Sequence, residues 1–141
     1  MTDPVSERRS VVIERELAAS PEKLWRALTQ PHLLEEWLMK SDFKPVEGHR
    51  FTLSNEPKPE VKVTIEGEVL KIEENKTLSY SWRAYGLDTV VTFTLTPTEN
   101  GTHLRMEQAG FRPDQERAYQ GAQFGWQKFL GNLEELLGRE G

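Results

Sequence analysis

The chain has 141 residues, a net charge of −5 and no cysteine, with 36% hydrophobic and 29% charged residues. That is the size and balance of one globular domain. The missing cysteines exclude disulfides, thiol nucleophiles and thiolate metal sites, and the acidic balance, with no basic stretch beyond Arg8-Arg9, argues against a nucleic-acid partner.

Residues 1–10 are polar, without the apolar h-region of a signal peptide, and read as a flexible tail ahead of a single domain over residues 11–141. No run approaches the ~18 apolar residues of a membrane span. The expected location is therefore the cytoplasm. Residues 11–18 alternate: Val11, Ile13 and Leu17 share one face, Glu14 and Glu16 the other. This is the period of a half-buried strand, and Arg15 falls on its apolar face. Ser20-Pro21 is a helix start, with Ser as N-cap and Pro at the first helical position. Leu24, Trp25 and Leu28 follow at helical spacing. Pro31 ends that helix and begins a second short one through Leu33, Leu34 and Trp37. Lys23 and Arg26 stand against Glu22, Glu35 and Glu36 in this pair, which disfavours a DNA-binding role.

Successive strands are expected over residues 42–110. Phe51 and Leu53 alternate around Thr52, and residues 55–59 (NEPKP) read as a turn. Val61, Val63, Ile65, Gly67 and Val69 share one face of a long strand; Lys62, Thr64, Glu66 and Glu68 share the other. After a turn at residues 73–76, Leu78, Tyr80 and Trp82 alternate with Ser79 and Ser81. After Gly86, Val91, Phe93 and Leu95 oppose Thr92 and Thr94. Asn100-Gly101 is a hairpin signal; beyond it Leu104, Met106 and Gln108 oppose His103, Arg105 and Glu107. A meander with one apolar face needs a cover. The last segment supplies it: a helix capped by Asp114 and stopped at Gly138, with a stripe of Ala118, Ala122, Trp126, Phe129, Leu133 and Leu136 or Leu137. Gly121 and Gly125, one turn apart inside it, mark either close approach of helix to sheet or room for a ligand.

The order strand, two short helices, meander and long C-terminal helix resembles the helix-grip fold. Residues 19–29 (ASPEKLWRALT), followed by Pro31 and Trp37, resemble the opening of the family named after the activator of the heat-shock-protein-90 ATPase, within the START and polyketide-cyclase superfamily. Gly67-Glu68-Val69, residues 78–82 (LSYSW), residues 92–97 (TFTLTP), Gly101-Thr102 with Leu104, Gly110-Phe111, and Gly125-Trp126 with Leu130, Leu133 and Leu137 agree with it. The resemblance implies an α+β fold of six to seven antiparallel strands around the last helix, with a hydrophobic cavity between them. In the superfamily such cavities take lipids, polyketides, hormones or other apolar molecules, and in some branches do chemistry. The family's co-chaperone members add a separate N-terminal module that has no counterpart in these residues.

The residues themselves carry no catalytic constellation. His32, His49 and His103 lack metal-ligand spacing, and no GxSxG, GxxxxGK[ST] or GxGxxG occurs. No metal, cofactor or catalytic residue is expected. Glu14 with Glu16, and Glu66 with Glu68, lie opposite the apolar faces and read as solubilising charge, and His103 as solvated. Two polar residues fall on apolar faces: Gln108, satisfied internally or orienting a ligand, and Arg15, snorkelling out or clamping an anion. With them, Trp37, Phe51, Tyr80, Trp82, Phe93, Met106, Phe124 and Trp126 are the candidate cavity-lining residues. The leading expectation is binding of a small hydrophobic or aromatic molecule, lipid- or polyketide-like. The alternatives are a cyclase or dehydratase acting on such a ligand, with Gln108, Tyr80 and Arg15 as first suspects, and a co-chaperone-like interaction module with a chaperone partner and an exposed apolar patch.

Overall fold

A computed structural model describes residues 9–54 and 64–140. The turn expected at residues 55–59, and Val61 and Val63, lie outside the described residues, as do the first eight residues of the expected tail. The elements run β1 (Arg9–Leu17), α1 (Pro21–Thr29), α2 (Pro31–Trp37), β2 (Lys40–Ser41), β3 (Arg50–Ser54), β4 (Thr64–Glu73), β5 (Thr77–Ala84), β6 (Leu87–Thr98), β7 (Gly101–Phe111) and α3 (Glu116–Glu140). The seven strands form one sheet in the order β1-β7-β6-β5-β4-β3-β2, antiparallel at every pairing. From β2 to β7 the sheet is a meander. β1 returns beside β7, so α1 and α2 form the crossing connection. This is a helix-grip α+β fold.

Local chemistry sets the boundaries. Lys23 N–H donates to Ser20 Oγ at 3.1 Å, with Pro21 opening α1. β1 starts two residues earlier than the alternation suggested, with Arg9 opposite Phe111 and Ser10 opposite Ala109. Gly110 is the extra residue on β7 at that step, at φ +111, a left-handed value that favours glycine at a bulge. A second bulge leaves Leu70 unpaired between Val69 and Lys71. Bulges bend strands and increase their twist, and these two lie where the sheet curls around its contents.

α3 departs from expectation at both ends. Tyr119 N–H donates to Gln115 O at 2.9 Å, which makes Gln115 the first helical acceptor. Asp114 instead pairs with Arg112 at 3.2 Å. Gly138 does not stop the helix, which runs on to Glu140. α3 packs on α2, β1, α1 and β7. Arg9 ties it to β1 by pairing with Glu116 and lying 4.0 Å over the Tyr119 ring. Among the described residues no helix is long and apolar enough to cross a membrane.

Candidate functional site: an aromatic cluster with a buried phenol

The inner face of β5 presents Leu78, Tyr80 and Trp82; β6 presents Thr89, Val91 and Phe93; β7 presents Leu104, Met106 and Gln108. All are buried. Trp37 of α2 and Trp126 of α3 face them, and Phe43, in the connection from β2 to β3, closes the far side. The rings form a continuous chain. Tyr80 lies 5.2 Å from Phe51, 5.9 Å from Phe43 and 6.1 Å from Phe93 between centroids. Phe93 reaches Trp126 at 6.0 Å and Trp37 at 6.4 Å, and Trp126 reaches Trp82 at 5.3 Å and Phe129 at 5.6 Å. Steep interplanar angles such as 86° for Phe51 and Tyr80 present ring edges to ring faces, the geometry the aromatic quadrupole favours.

Gly67 makes room for this arrangement. It pairs with Phe51 across β3 and β4. A Cβ there would stand 2.5 Å from Ser81 O and 2.6 Å from Phe51 Cζ, so the Phe51 ring fills the place of the missing side chain. β5 is locally splayed: Glu68 N–H donates to Ser81 Oγ at 2.9 Å. On the outer face this leaves a pocket of about 290 Å³ between Arg50, Thr52, Glu66, Glu68 and Arg83. Its arginines are paired, Arg50 with Glu68 at 3.7 Å and Arg83 with Asp88 at 3.2 Å.

The polar groups inside the grip divide into two sets. Trp126 Nε1 donates to Gln108 Oε1 at 2.7 Å, Gln108 Nε2 donates to Thr89 Oγ1 at 2.9 Å, and Thr89 Oγ1 donates to Trp82 O at 3.0 Å. This relay crosses from α3 over β7 and β6 to β5. It satisfies Gln108 inside the core with side chains rather than backbone or water. Trp37 Nε1 is likewise satisfied, by Ala27 O at 2.8 Å.

Tyr80 is different. Its side chain is 3% exposed, yet among the described residues its hydroxyl has no hydrogen-bond partner, and burial alone pushes the phenol far above its ordinary value. Every side-chain polar atom sealed from water among the described residues does have a partner. The Tyr80 hydroxyl therefore opens on a space that admits at least a water molecule. The Trp82 indole N–H, on the same face of β5, also lacks a partner among the described residues. No Asp, Glu, Lys, Arg or His is buried among the described residues, so no formal charge lies among these rings. Nor do any three His, Cys, Asp or Glu among the described residues form a metal-binding group.

The remaining candidates lie elsewhere. Arg15 is half-buried at the rim between β1 and α3, donating to Gln127 Oε1 at 2.5 Å and Glu14 O at 3.2 Å. Phe124 is a correction: it is 77% exposed and lines no interior. Two residues from Trp126 is about 200° round a helix, so both cannot face the sheet. Gly121 and Gly125 are also corrected, because nothing stands within 4 Å of a Cβ at either; they admit no close approach to the sheet. His103 is not merely solvated. It bridges Glu14 through Nε2 at 2.8 Å and Glu16 through Nδ1, so those carboxylates bind β1 to β7.

Sequence reasoning missed Phe43 and Thr89, and placed Phe129 on the helical stripe without counting it among the lining residues. Thr89 was within reach, sharing the parity of Val91 and Phe93. Phe43 sits alone in the polar segment of residues 40–50, where no period marks it. It is fixed by Phe43 N–H donating to Ser41 Oγ at 3.1 Å, and by Asp42 Oδ1, which accepts from Thr52 N–H at 2.8 Å.

The family model described as activator of Hsp90 ATPase homolog 1-like protein matches residues 18–138. Protein MLL2253 from Mesorhizobium loti is 60% identical over 93% of this chain and 98% of its own, with a TM-score of 0.87. CalU16 from Micromonospora echinospora is 27% identical over 90% of this chain and 73% of its own, at 0.74. Protein NE0264 from Nitrosomonas europaea shares the fold at 24% identity and a TM-score of 0.83, over 96% of this chain and 97% of its own. A comparison with the curated proteins finds no match.

Proposed function

Because this chain belongs to the activator of Hsp90 ATPase homolog 1-like family, whose solved relatives share its helix-grip fold, we propose that it binds a small aromatic or hydrophobic molecule in the chamber around Tyr80. The observation that carries this reading is the Tyr80 hydroxyl, buried among Phe43, Phe51 and Phe93 and left without a partner among the described residues. A polar atom in that position costs stability unless something completes it. A core built only for packing would carry Phe there. Apolar walls with a few convergent polar groups are the usual makeup of a small-molecule site.

A cyclase or dehydratase reading has less support. General base catalysis needs a group that can take up a proton near neutral pH, and Gln108, the first suspect, is an amide already engaged at both ends. Tyr80 can donate a hydrogen bond to a reacting oxygen but cannot act as a base while its phenol stays protonated.

Native mass spectrometry and thermal unfolding against a panel of uncharged aromatic compounds test the proposal. The expected result is a one-to-one complex and a raised unfolding midpoint for a subset of the panel, both lost in Phe93→Trp, which fills the chamber. Absence of any stabilising compound overturns the reading.

A further inference from the structure

The chemistry of the chamber narrows what it can hold. Resting on the reading above, we propose that the chamber selects uncharged aromatic ligands that bring a hydrogen-bond acceptor, a carbonyl or ether oxygen, to the Tyr80 hydroxyl, and that it rejects ammonium and carboxylate ligands of the same size.

Three observations converge on this. First, the open polar groups on the inner face of β5 can both donate. Trp82 offers only an indole N–H, and the Tyr80 phenol is held protonated by its burial. They stand two residues apart on one strand face, about 7 Å along the chain. Second, the acceptors that could have met them are engaged: Gln108 Oε1 accepts from Trp126, and Trp82 O accepts from Thr89. A ligand amine would therefore find no open acceptor besides the Tyr80 oxygen itself, a neutral phenol that offers no counter-charge. Third, no charged side chain is buried among the described residues. A carboxylate or an ammonium entering the chamber would lose its hydration without gaining a counter-ion, which is far more costly than desolvating a ketone. Arg15, which shares the strand face of Ile13 and Leu17, is at the rim and already holds Gln127.

A matched probe series tests this by isothermal titration and thermal shift. Benzophenone carries one carbonyl between two rings. Diphenylmethane has nearly the same shape and no polar atom. Benzhydrylamine is the ammonium analogue and diphenylacetate the carboxylate. The expected order is benzophenone above diphenylmethane, with no measurable binding of either ion. Tyr80→Phe keeps the ring and removes only the hydroxyl. It should weaken benzophenone about three- to tenfold, the worth of one hydrogen bond, and leave diphenylmethane unchanged.

The ligand-free protein supplies a second readout. Tyr80→Phe should unfold at the same or a higher temperature than the parent, since it discards a buried group with no partner among the described residues. A lowered midpoint would mean that the hydroxyl is satisfied internally, and overturns the inference. Equal affinity for benzophenone and diphenylmethane, or benzophenone binding indifferent to Tyr80→Phe, overturns the acceptor rule while leaving the chamber as a binding site. Failure of both neutral probes to bind overturns the rule together with the reading beneath it.

Discussion

The indole N–H of Trp126 and the amide oxygen of Gln108 meet at 2.7 Å, joining the middle of α3 to the inner face of β7. Both side chains are almost wholly buried. Gln108 passes the connection on to Thr89, and Thr89 to Trp82 O. The grip of sheet on helix thus has a polar spine inside an aromatic core. Hydrophobic burial supplies most of the cohesion, whereas the spine fixes how α3 is rotated over the sheet. The Tyr80 hydroxyl lies outside this spine and has no hydrogen-bond partner among the described residues.

Gln108→Leu keeps much of the side-chain volume and removes both hydrogen bonds. It leaves the Trp126 indole buried without an acceptor. The expected loss is about 1–3 kcal/mol, the desolvation penalty of one orphaned donor, read as a lower urea midpoint at unchanged slope. Gln108→Glu should cost more at neutral pH, because its carboxylate would be buried without a counter-charge. A Gln108→Leu protein as stable as the parent would show that the spine adds no cohesion.

Two glycines on opposite sides of the grip should respond with opposite signs. Gly67→Ala drives a methyl to 2.5 Å from Ser81 O and 2.6 Å from Phe51 Cζ. Backbone must move, and the expected cost is about 1–3 kcal/mol. Gly121→Ala meets nothing within 4 Å on an exposed face of α3, so it should add about 0.5–1 kcal/mol by helix propensity alone. Urea unfolding of the two variants side by side reads the contrast, and a destabilising Gly121→Ala would reveal a neighbour on that face.

Strand parity carried most of the fold into the sequence. Residues 78–82 and 104–108 alternate so regularly that inner and outer faces could be assigned before any coordinates, and Ser20-Pro21 announced α1. The failures have physical causes. A stripe at helical spacing predicts Trp126 and Phe129, but it also tempts inclusion of any nearby aromatic, and Phe124 sits on the wrong side. Side-chain spacing carries no record of how polar atoms pair. Gln108 looked like a polar group on an apolar face and Tyr80 like one aromatic ring among several, and only the coordinates separate the satisfied amide from the open phenol. Phe43 owes its place to two capping hydrogen bonds in a loop, a signal with no period.

Lys23 links α1 to the end of α3. Its Nζ donates to Leu137 O at 2.7 Å, among the last four carbonyls of α3, which lack helical donors. A cation there also meets the negative end of the helix dipole. Lys23→Met keeps the aliphatic stem and removes the charge. The expected loss is about 0.5–1 kcal/mol, with amide exchange accelerated over residues 133–140 and unchanged in the sheet. Uniform acceleration across the chain would instead mean that Lys23 acts on global stability and not on the end of α3.

The His103 bridge makes stability depend on pH in a definite direction. Hydrogen bonds donated by the imidazole to Glu14 first and Glu16 second favour its protonated form, raising it above its ordinary value of 6.5. Protonation is thus favoured in the folded chain over the unfolded one. The contribution is complete below the unfolded value near 6.5 and is lost as pH rises through the higher folded value. The neighbouring charges on that outer face are Arg105, opposite Glu14, and Glu107, opposite Val12. The span from about pH 6 to pH 9 reports on His103. Over that span the parent should lose unfolding midpoint while His103→Asn stays flat. The difference should shrink at high salt, since the bridge faces solvent. An identical slope in both proteins would place the titrating group elsewhere and remove the bridge as a tie between β1 and β7.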